Sequence, residues 1–287
     1  EDEVKQQVQR VLKALASQPP EGTPVWLRDV CSLLADDLKL IRRPDAGWVA
    51  LSRNRWSCDA ADFDDAGESS AAARAVRLAD HLDDVGRLAS EYASGVGLPE
   101  PLRGAIACAA RHHDLGKADP RFQALLCGGD RAAAIRAERK AGGPLAKSPE
   151  PPRSRAAQTE AARRSGYPGG GRHELLSVRM LEAASIIGPS LDTELVLHAV
   201  ASHHGGCRPF APEVADAAPV TVGWRSGGVD FFASSATGLD RLDSGVAERF
   251  WTLIQRYGWW GLPYLETLVR LADHRVSERY ETKENDA

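Results

Sequence analysis

The run His-Asp-Leu-Gly-Lys at residues 113–117 constrains this chain most, because it places metal-binding chemistry at the end of a helical stretch. The two carboxylate oxygens of Asp114 can bridge two metal ions while His113 binds one of them. Gly116 is expected to end the helix abruptly, since glycine tolerates the left-handed conformation of helix C-termini. Lys117 adds a fixed positive charge, and a metal ion beside an ammonium group suits an anionic phosphate ester.

Length and composition favour one large domain, or a domain with an appendage, because the chain has 287 residues and is 43% hydrophobic. The net charge of −4 argues against a protein that simply coats nucleic acid. The five cysteines include no C-x-x-C pair, which argues against a zinc ribbon and favours reduced thiols in the cytoplasm. We find no signal-peptide pattern and no apolar run of the ~20 residues that a membrane span requires. The chain begins at Glu1 and its single methionine is Met180, so we expect a piece of a longer protein.

Apolar residues at helical spacing predict an all-α fold, a helical bundle with few strands. Residues 1–56 are expected to form a small helix–helix–strand appendage, with a strand at Trp48–Leu51. Residues 57–287 are expected to form the main domain, beginning with an acidic loop at 58–70. One short hairpin or extended loop is predicted at 219–232. The predicted helices cover residues 4–17, about 25–40, 71–96, Pro99 to His113-Asp114, 173–187, 191–204, about 240–257 and about 261–281.

Residues 128–172 differ in composition from the rest of the chain and lack a sustained apolar period. They contain ten Lys and Arg against four Asp and Glu, a local balance of +6. The pattern predicts a basic, flexible insertion, which either is solvated and partly disordered or forms a lip that follows a nucleic-acid backbone.

The other candidate site residues each lie on a predicted helix or at one of its ends. Asp273 lies on an apolar helix, where an aspartate is costly unless it is paired or binds metal. Three further histidines, at 112, 198 and 274, are interpreted as flanking residues. The candidates are His81, His173, His203, His204 and Asp273.

This ordered set resembles the HD superfamily of metal-dependent phosphohydrolases, and more narrowly the HD nuclease domain of the CRISPR type I helicase-nuclease. The resemblance spans about residues 72–281 and leaves residues 1–56 unexplained. The matching motifs are Leu78-x-x-His81, His113-Asp114-Leu115-Gly116-Lys117-Ala118-x-Pro120-x-Phe122-Gln123, Arg172-His173-Glu174, His203-His204-Gly205 and Ala272-Asp273-His274-x-x-Ser277.

The resemblance implies an HD-domain bundle with two metal ions bridged by Asp114. One ion would take His81, His113, Asp114 and Asp273, and the other Asp114, His173, His203 and His204. Because the set is rich in imidazole, it favours two divalent ions of Mn, Fe, Co or Ni over Mg. The resemblance also implies catalytic roles for Asp114 and Lys117, and phosphate or DNA contacts for Lys117, Arg172 and Ser277.

The implied function is a metal-dependent endonuclease or exonuclease that hydrolyses phosphodiester bonds of single-stranded DNA in CRISPR interference. The chain has no G-x-x-x-x-G-K-[ST] motif, so a helicase would have to be another domain. We expect that domain N-terminal to this piece in the same parent chain, together with an RNA-guided surveillance complex as partner.

Two alternatives remain open at this point. One is an HD phosphohydrolase acting on nucleotides or cyclic nucleotides, for which the sequence offers no base-binding motif. Gly166-Tyr167-Pro168 spells a motif of cyclic-dinucleotide phosphodiesterases, but it lies upstream of His173 and is interpreted as a turn. The other alternative is a non-catalytic interaction module, against which the intact ligand set argues.

Overall fold

A computed structural model describes residues 2–20, 31, 34–35, 38–43, 47–52, 72–152 and 154–281. The chain divides into two compact units, Glu1–Asp59 and Ala60–Ala287. The predicted loop at 58–70 and most of the predicted helix at about 25–40 lie outside the described residues.

The first unit contains helix α1 (Asp2–Ser17), helical residues at 31 and 34–35, and a hairpin. Strand β1 (Leu38–Arg43) pairs antiparallel with β2 (Gly47–Ser52). The predicted strand at Trp48–Leu51 is therefore confirmed. The helix predicted to reach residue 40 was wrong at its end, because Leu38 and Leu40 are both buried at the period of two that a strand requires.

The second unit is a helical bundle, which confirms the predicted fold class. A single turn of 3-10 helix, Leu115–Ala118, follows the second of its helices. The two helices predicted at the C-terminal end are continuous except at Gly258, whose backbone is not helical. The helices are α2 (Leu78–Gly95), α3 (Glu100–His112), α4 (Pro120–Leu126), α5 (Arg131–Ala141), α6 (Arg155–Ser165), α7 (His173–Ala184), α8 (Thr193–Ser202) and α9 (Val246–Glu281).

Two short antiparallel pairs accompany these helices. Strands β5 (Thr221–Ser226) and β6 (Val229–Ser234) form the predicted hairpin, and Gly227 and Gly228 at its tip both have positive φ, as a tight two-residue turn requires. Strand β3 (Val76–Arg77) pairs with β4 (Leu145–Lys147) and was not predicted. Segments of two and three residues are too short to show an alternating pattern.

Helices α2, α3, α7, α8 and α9 enclose one continuous apolar core. Its members include Leu78, Val85, Ile106, Val178 and Val269, all of which are fully buried. The ends of α3 and α8 and the start of α7 meet inside this core, so polar side chains at those ends are shielded from solvent. No helix among the described residues is long and apolar enough to span a membrane.

Residues 128–172 form two helices and a strand, so the prediction of a segment without regular structure was wrong. Helices α5 and α6 begin at the capping side chains of Asp130 and Ser154 and end at Gly142 and Gly166, both with positive φ. These start and stop signals are present in the sequence. The prediction gave more weight to the apolar period, which is weak here because the buried faces of these helices carry alanine.

This segment also has a small core of its own against α4. Leu145, Ala161 and Tyr167 pack with Phe122 and Leu125 of α4. Gly166 ends α6 just before Tyr167, which agrees with the interpretation of Gly166-Tyr167-Pro168 as a turn. The segment therefore packs against α4, which directly follows the turn that contains Lys117.

Candidate metal centre

The structure brings all seven predicted ligands together from five helices. Two overlapping groups share Asp114, and within each group the candidate ligand atoms lie within 4.8 Å of one another. The first group is His81, His113 and Asp114, and the second is Asp114, His173, His203 and His204. Asp273 on α9 adjoins the first group, because its Oδ1 lies 3.1 Å from Nε2 of His81.

Asp114 lies between the two groups and turns a different oxygen to each. Its Oδ2 lies 3.4 Å from Nε2 of His81 and 3.4 Å from Nε2 of His113. Its Oδ1 lies 2.9 Å from Nε2 of His173 and 3.5 Å from Nε2 of His203. This is the arrangement expected of a carboxylate that joins two metal positions.

Two of the imidazoles are oriented by the helices that they end. Nδ1 of His113 lies 2.7 Å from the carbonyl oxygen of Ala110, and Nδ1 of His203 lies 2.7 Å from that of Val200. The last carbonyls of a helix lack intrahelical donors, so each accepts the Nδ1–H of the histidine that follows. This hydrogen bond directs Nε2 into the centre, where a bound metal would take its lone pair.

The buried nitrogen atoms of the centre test whether metal ions fit. The Nε2 atoms of His81, His113 and His203 are buried and form a well-aligned hydrogen bond with none of the described residues. Each is directed instead at carboxylate oxygens between 3.1 and 3.8 Å away. Buried polar atoms in such positions are costly, and cations among them would remove that cost. The donor set of imidazoles and carboxylates therefore fits divalent metal ions.

The charges of the centre also favour the binding of cations. Burial would lower the pKa of His113, but the negative charges of Asp114 and Asp273 raise it to about 10. Burial would raise the pKa of Asp114, but His113 and Lys117 hold it well below the usual value. The pKa of Asp273 is also well below its usual value, because His113 and His81 outweigh its burial. Both carboxylates are thus ionised and attract cations, and metal binding would displace protons from the imidazoles.

Lys117 forms an ion pair with the carboxylate that the two groups share. Its Nζ lies 2.8 Å from Oδ2 of Asp114, and its side chain is only 4% exposed. The ammonium also lies 5.9 Å from the centre of the Phe122 ring. Lys117 therefore contacts the carboxylate that joins the two groups, and it fixes the orientation of that carboxylate.

Gly116 is required for a reason other than the predicted one. It lies within the 3-10 turn, and the glycines with positive φ do not include it, so the expected left-handed helix end was wrong. A Cβ at Gly116 would lie 2.1 Å from the carbonyl oxygen of His173. Glycine allows the turn after Asp114 to pack directly against the start of α7, which brings His173 to Asp114.

Ser177 is a functional residue that the sequence interpretation missed. Its hydroxyl donates to the carbonyl oxygen of His173 at 2.9 Å and accepts from the backbone N–H of Gly116 at 2.8 Å. The side chain is fully buried. The one signal in the sequence is the spacing of four residues from His173, which allows a serine to bond back along a helix.

Two residues that follow the His-Asp pair, Phe122 and Gln123, hold the Lys117 turn and His173 in position. The side-chain amide of Gln123 donates to the carbonyl oxygens of Lys117 at 2.6 Å and Leu145 at 2.9 Å, and its Oε1 accepts from Leu145 N–H. The Phe122 ring lies 5.5 Å from the His173 ring and 5.4 Å from the Tyr167 ring. Gln123 thus links the Lys117 turn to β4 by hydrogen bonds, and Phe122 packs against His173.

The two residues predicted to contact phosphate or DNA beside Lys117 have partners within the protein. Ser277 Oγ lies 3.3 Å from Oδ1 of Asp273, and Nη1 of Arg172 lies 3.5 Å from Oε1 of Glu174. Ser277 therefore orients a candidate ligand. Of the histidines interpreted as flanking, His112 and His198 make their contacts outside the two groups.

The family model described as "Cas3, HD domain" matches residues 66–226, more than half of the chain. This chain belongs to the Cas3 HD-domain family. No curated protein and no solved structure gives a significant match. The matched range contains every candidate ligand except Asp273, which is placed at the centre by the geometry of α9.

The resemblance inferred from the sequence is thereby confirmed. The protein is a CRISPR-associated HD nuclease, and its family membership implies a metal-dependent phosphodiester hydrolase. The His/Asp cluster is the part of the described structure that suits divalent metal.

Proposed function

We propose that this protein cleaves single-stranded DNA by metal-dependent hydrolysis of its phosphodiester bonds. The observation that carries the proposal is the position of Asp114, whose two oxygens face two separate sets of imidazoles. Two-metal centres are suited to in-line displacement at phosphorus. A phosphodiester is the substrate that such a centre serves in nucleases.

His81, His113, Asp114 and Asp273 would hold one ion, and Asp114, His173, His203 and His204 the other. When bound, the two ions supply a lowered pKa for an attacking water and stabilisation of charge on the phosphate. The protein's own part is to orient the ligands. The 2.7 Å hydrogen bonds of His113 and His203 fix their rings, and Lys117 and Ser277 fix Asp114 and Asp273.

The donor set favours transition metals. Five of the seven candidate ligands are imidazoles, which suit Mn, Fe, Co or Ni better than Mg, an ion that prefers oxygen ligands. The phosphate contacts predicted for Lys117, Arg172 and Ser277 stay predictions. For Lys117 such a contact would need its ammonium to reach substrate across Asp114.

The partners belong to the same proposal. We propose that residues 57–287 are the nuclease domain and that residues 1–56 connect it to a helicase domain N-terminal in the parent chain. The helicase would deliver single-stranded DNA made available by an RNA-guided surveillance complex in the cytoplasm. Family membership is what supports these partners.

The test uses circular single-stranded DNA, which only an endonuclease can cut. The chelator-treated protein is incubated with Mn, Co, Ni, Fe(II) or Mg, beside an Asp114→Asn variant of the same shape. Asp80→Asn serves as control, because Asp80 is an exposed carboxylate next to His81. We expect cleavage with the transition metals in wild type and in the control, and none with Asp114→Asn. Hydrolysis of nucleotides or cyclic nucleotides in place of DNA would overturn the proposal.

A further inference from the structure

Arg270 lies beside the metal centre on the exposed surface of α9. A Cβ placed on Gly205 would lie 3.9 Å from Nη1 of Arg270, so the guanidinium lies over the turn that follows His204. Arg270 is also one helical turn before Asp273. The guanidinium is therefore next to the centre and on the solvent side of it.

Arg208 is held next to Arg270 by a buried carboxylate. Its Nη2 pairs with Oε2 of Glu266, whose Oε1 lies 2.6 Å from Nε2 of His198. Glu266 and His198 are both buried, whereas the Arg208 side chain is 35% exposed. Because Glu266 precedes Arg270 by about one turn of α9, Arg208 meets α9 about one turn before Arg270. A guanidinium fixed in this way is suited to bind phosphate through its remaining N–H groups.

Trp259 lies farther along the same side of α9. It is 63% exposed, and its ring meets that of Trp251 edge-on at 5.8 Å. Fourteen residues separate it from Asp273, which in a regular helix is about 20 Å along the axis and about 40° around it. An exposed aromatic pair thus lies in line with the arginines and the metal centre.

The charge of this surface suits an anionic partner. Between Arg249 and Asp273 the only acidic residue of α9 is Glu266, which is buried and paired with Arg208. Aromatic rings that stack on bases, combined with cationic groups that follow the backbone, are the usual means of binding single strands. Continuity with the metal centre favours a strand that is also the substrate.

We propose that a single strand of nucleic acid binds along α9, with Arg208 and Arg270 on backbone phosphates and Trp259 stacked on a base. The inference rests on the proposed function, since the strand it describes is the substrate of that reaction. For a strand whose bases stay stacked at about 3.4 Å per nucleotide, about 20 Å corresponds to roughly six nucleotides. Trp259 would therefore contact the strand about six nucleotides from the bond that is cut.

The test measures binding without cleavage. Fluorescence anisotropy of labelled dT12 and dT4 is recorded with chelator-treated protein over a range of salt concentrations. Arg270→Ala should weaken dT12 binding and reduce the slope of log affinity against log salt by about 0.7, the value for one phosphate contact on a single strand. Trp259→Ala should weaken dT12 binding about 5- to 100-fold and leave binding of dT4 at the centre unchanged, because a stacked dT4 spans only about 14 Å.

Matched controls come from the same helix. Arg275 follows Asp273 by two residues, about 200° around α9, and Trp260 is turned about 100° from Trp259. Both are exposed, so Arg275→Ala and Trp260→Ala should leave binding unchanged. Wild-type affinity in Arg270→Ala and Trp259→Ala, or equal losses in the controls, would overturn the inference and would favour a protein partner for these tryptophans.

Hydrolysis assays separate this inference from the proposed function. With Mn, Arg270→Ala and Trp259→Ala should cut circular single-stranded DNA more slowly than wild type, whereas Arg275→Ala and Trp260→Ala should cut it at the wild-type rate. If wild type cuts no DNA while dT12 binding depends on Trp259 and Arg270, the proposed function is wrong but binding of a single strand along α9 is supported. If wild type cuts DNA and both variants cut it at the same rate as wild type, only the proposed binding along α9 is wrong.

Discussion

The two sides of Asp114 differ in composition. The Oδ2 side contains a second carboxylate, Asp273, and the ammonium of Lys117. Among the described residues, the candidate ligands on the Oδ1 side besides Asp114 are all imidazoles. We infer that the Oδ2 side is the more strongly charged position.

The two sides also depend on different supports. The Oδ2 side is built by α2, α3 and α9, which pack directly in the main core. On the Oδ1 side, His173 depends on the contact of α7 with the Gly116 turn and on the Ser177 hydrogen bonds. Substitutions can therefore disturb one side and spare the other.

The largest effect is expected where the two sides join. Asp114→Ala removes the only carboxylate that both sides share, so it should abolish binding of both ions and lower cleavage by about 10³-fold or more. Metal content and the cleavage rate on single-stranded DNA check this prediction. Retention of one ion would show that one side forms without the shared carboxylate.

Gly116→Ala should push the start of α7 away from the turn after Asp114 and so disturb the Oδ1 side. The new Cβ would lie 2.1 Å from a backbone carbonyl, which cannot move as the end of a side chain can. We expect a loss of about 3 kcal/mol in the free energy of unfolding, measured by urea denaturation, and a weaker Oδ1 position. Gly95→Ala is the control, because a Cβ there meets nothing within 4 Å. Equal stability of the two variants would contradict the contact.

Lys117→Met addresses the Oδ2 side alone. Removing one partner of a buried ion pair usually costs about 3–5 kcal/mol. Here the protonated imidazole of His113, with a pKa raised to about 10, still compensates Asp114, so we expect about 2 kcal/mol in chelator-treated protein. A loss of 5 kcal/mol in urea denaturation would mean that the imidazoles do not share this charge.

Ser177→Ala should give the smallest effect, confined to the Oδ1 side. It leaves the buried N–H of Gly116 without its acceptor, at a cost of about 1–2 kcal/mol. Ser202→Ala is a matched control, since Ser202 is equally buried but its hydroxyl makes no hydrogen bond with the described residues. Thermal denaturation of the pair, with metal content, decides the point. An unchanged Ser177→Ala would mean that Gly116 is held by packing alone.

Much of the fold could be predicted because long amphipathic helices show their period directly. The helices that carry His81 and Asp273 are of this kind. The candidate ligands could be named because their order along the chain resembles a known family. Neither route depends on knowing which helices touch.

The features that sequence missed depend on contacts between distant segments. The steric need for Gly116 arises at His173, and Ser177 acts on a backbone N–H 61 residues away. Arg121 is similar, since its guanidinium joins Asp119 to Asp216, 95 residues along the chain. A spacing of residues cannot show such contacts, because they follow from how the helices pack.

The number of metal ions bound per chain tests the central claim most directly. Wild type, Asp114→Ala, Asp273→Ala and His173→Ala are loaded with Mn, freed of excess ion and measured by elemental analysis. A bridging Asp114 predicts two ions in wild type, one in each of Asp273→Ala and His173→Ala, and none in Asp114→Ala. One ion in wild type, lost equally in all three variants, would contradict the two-sided centre.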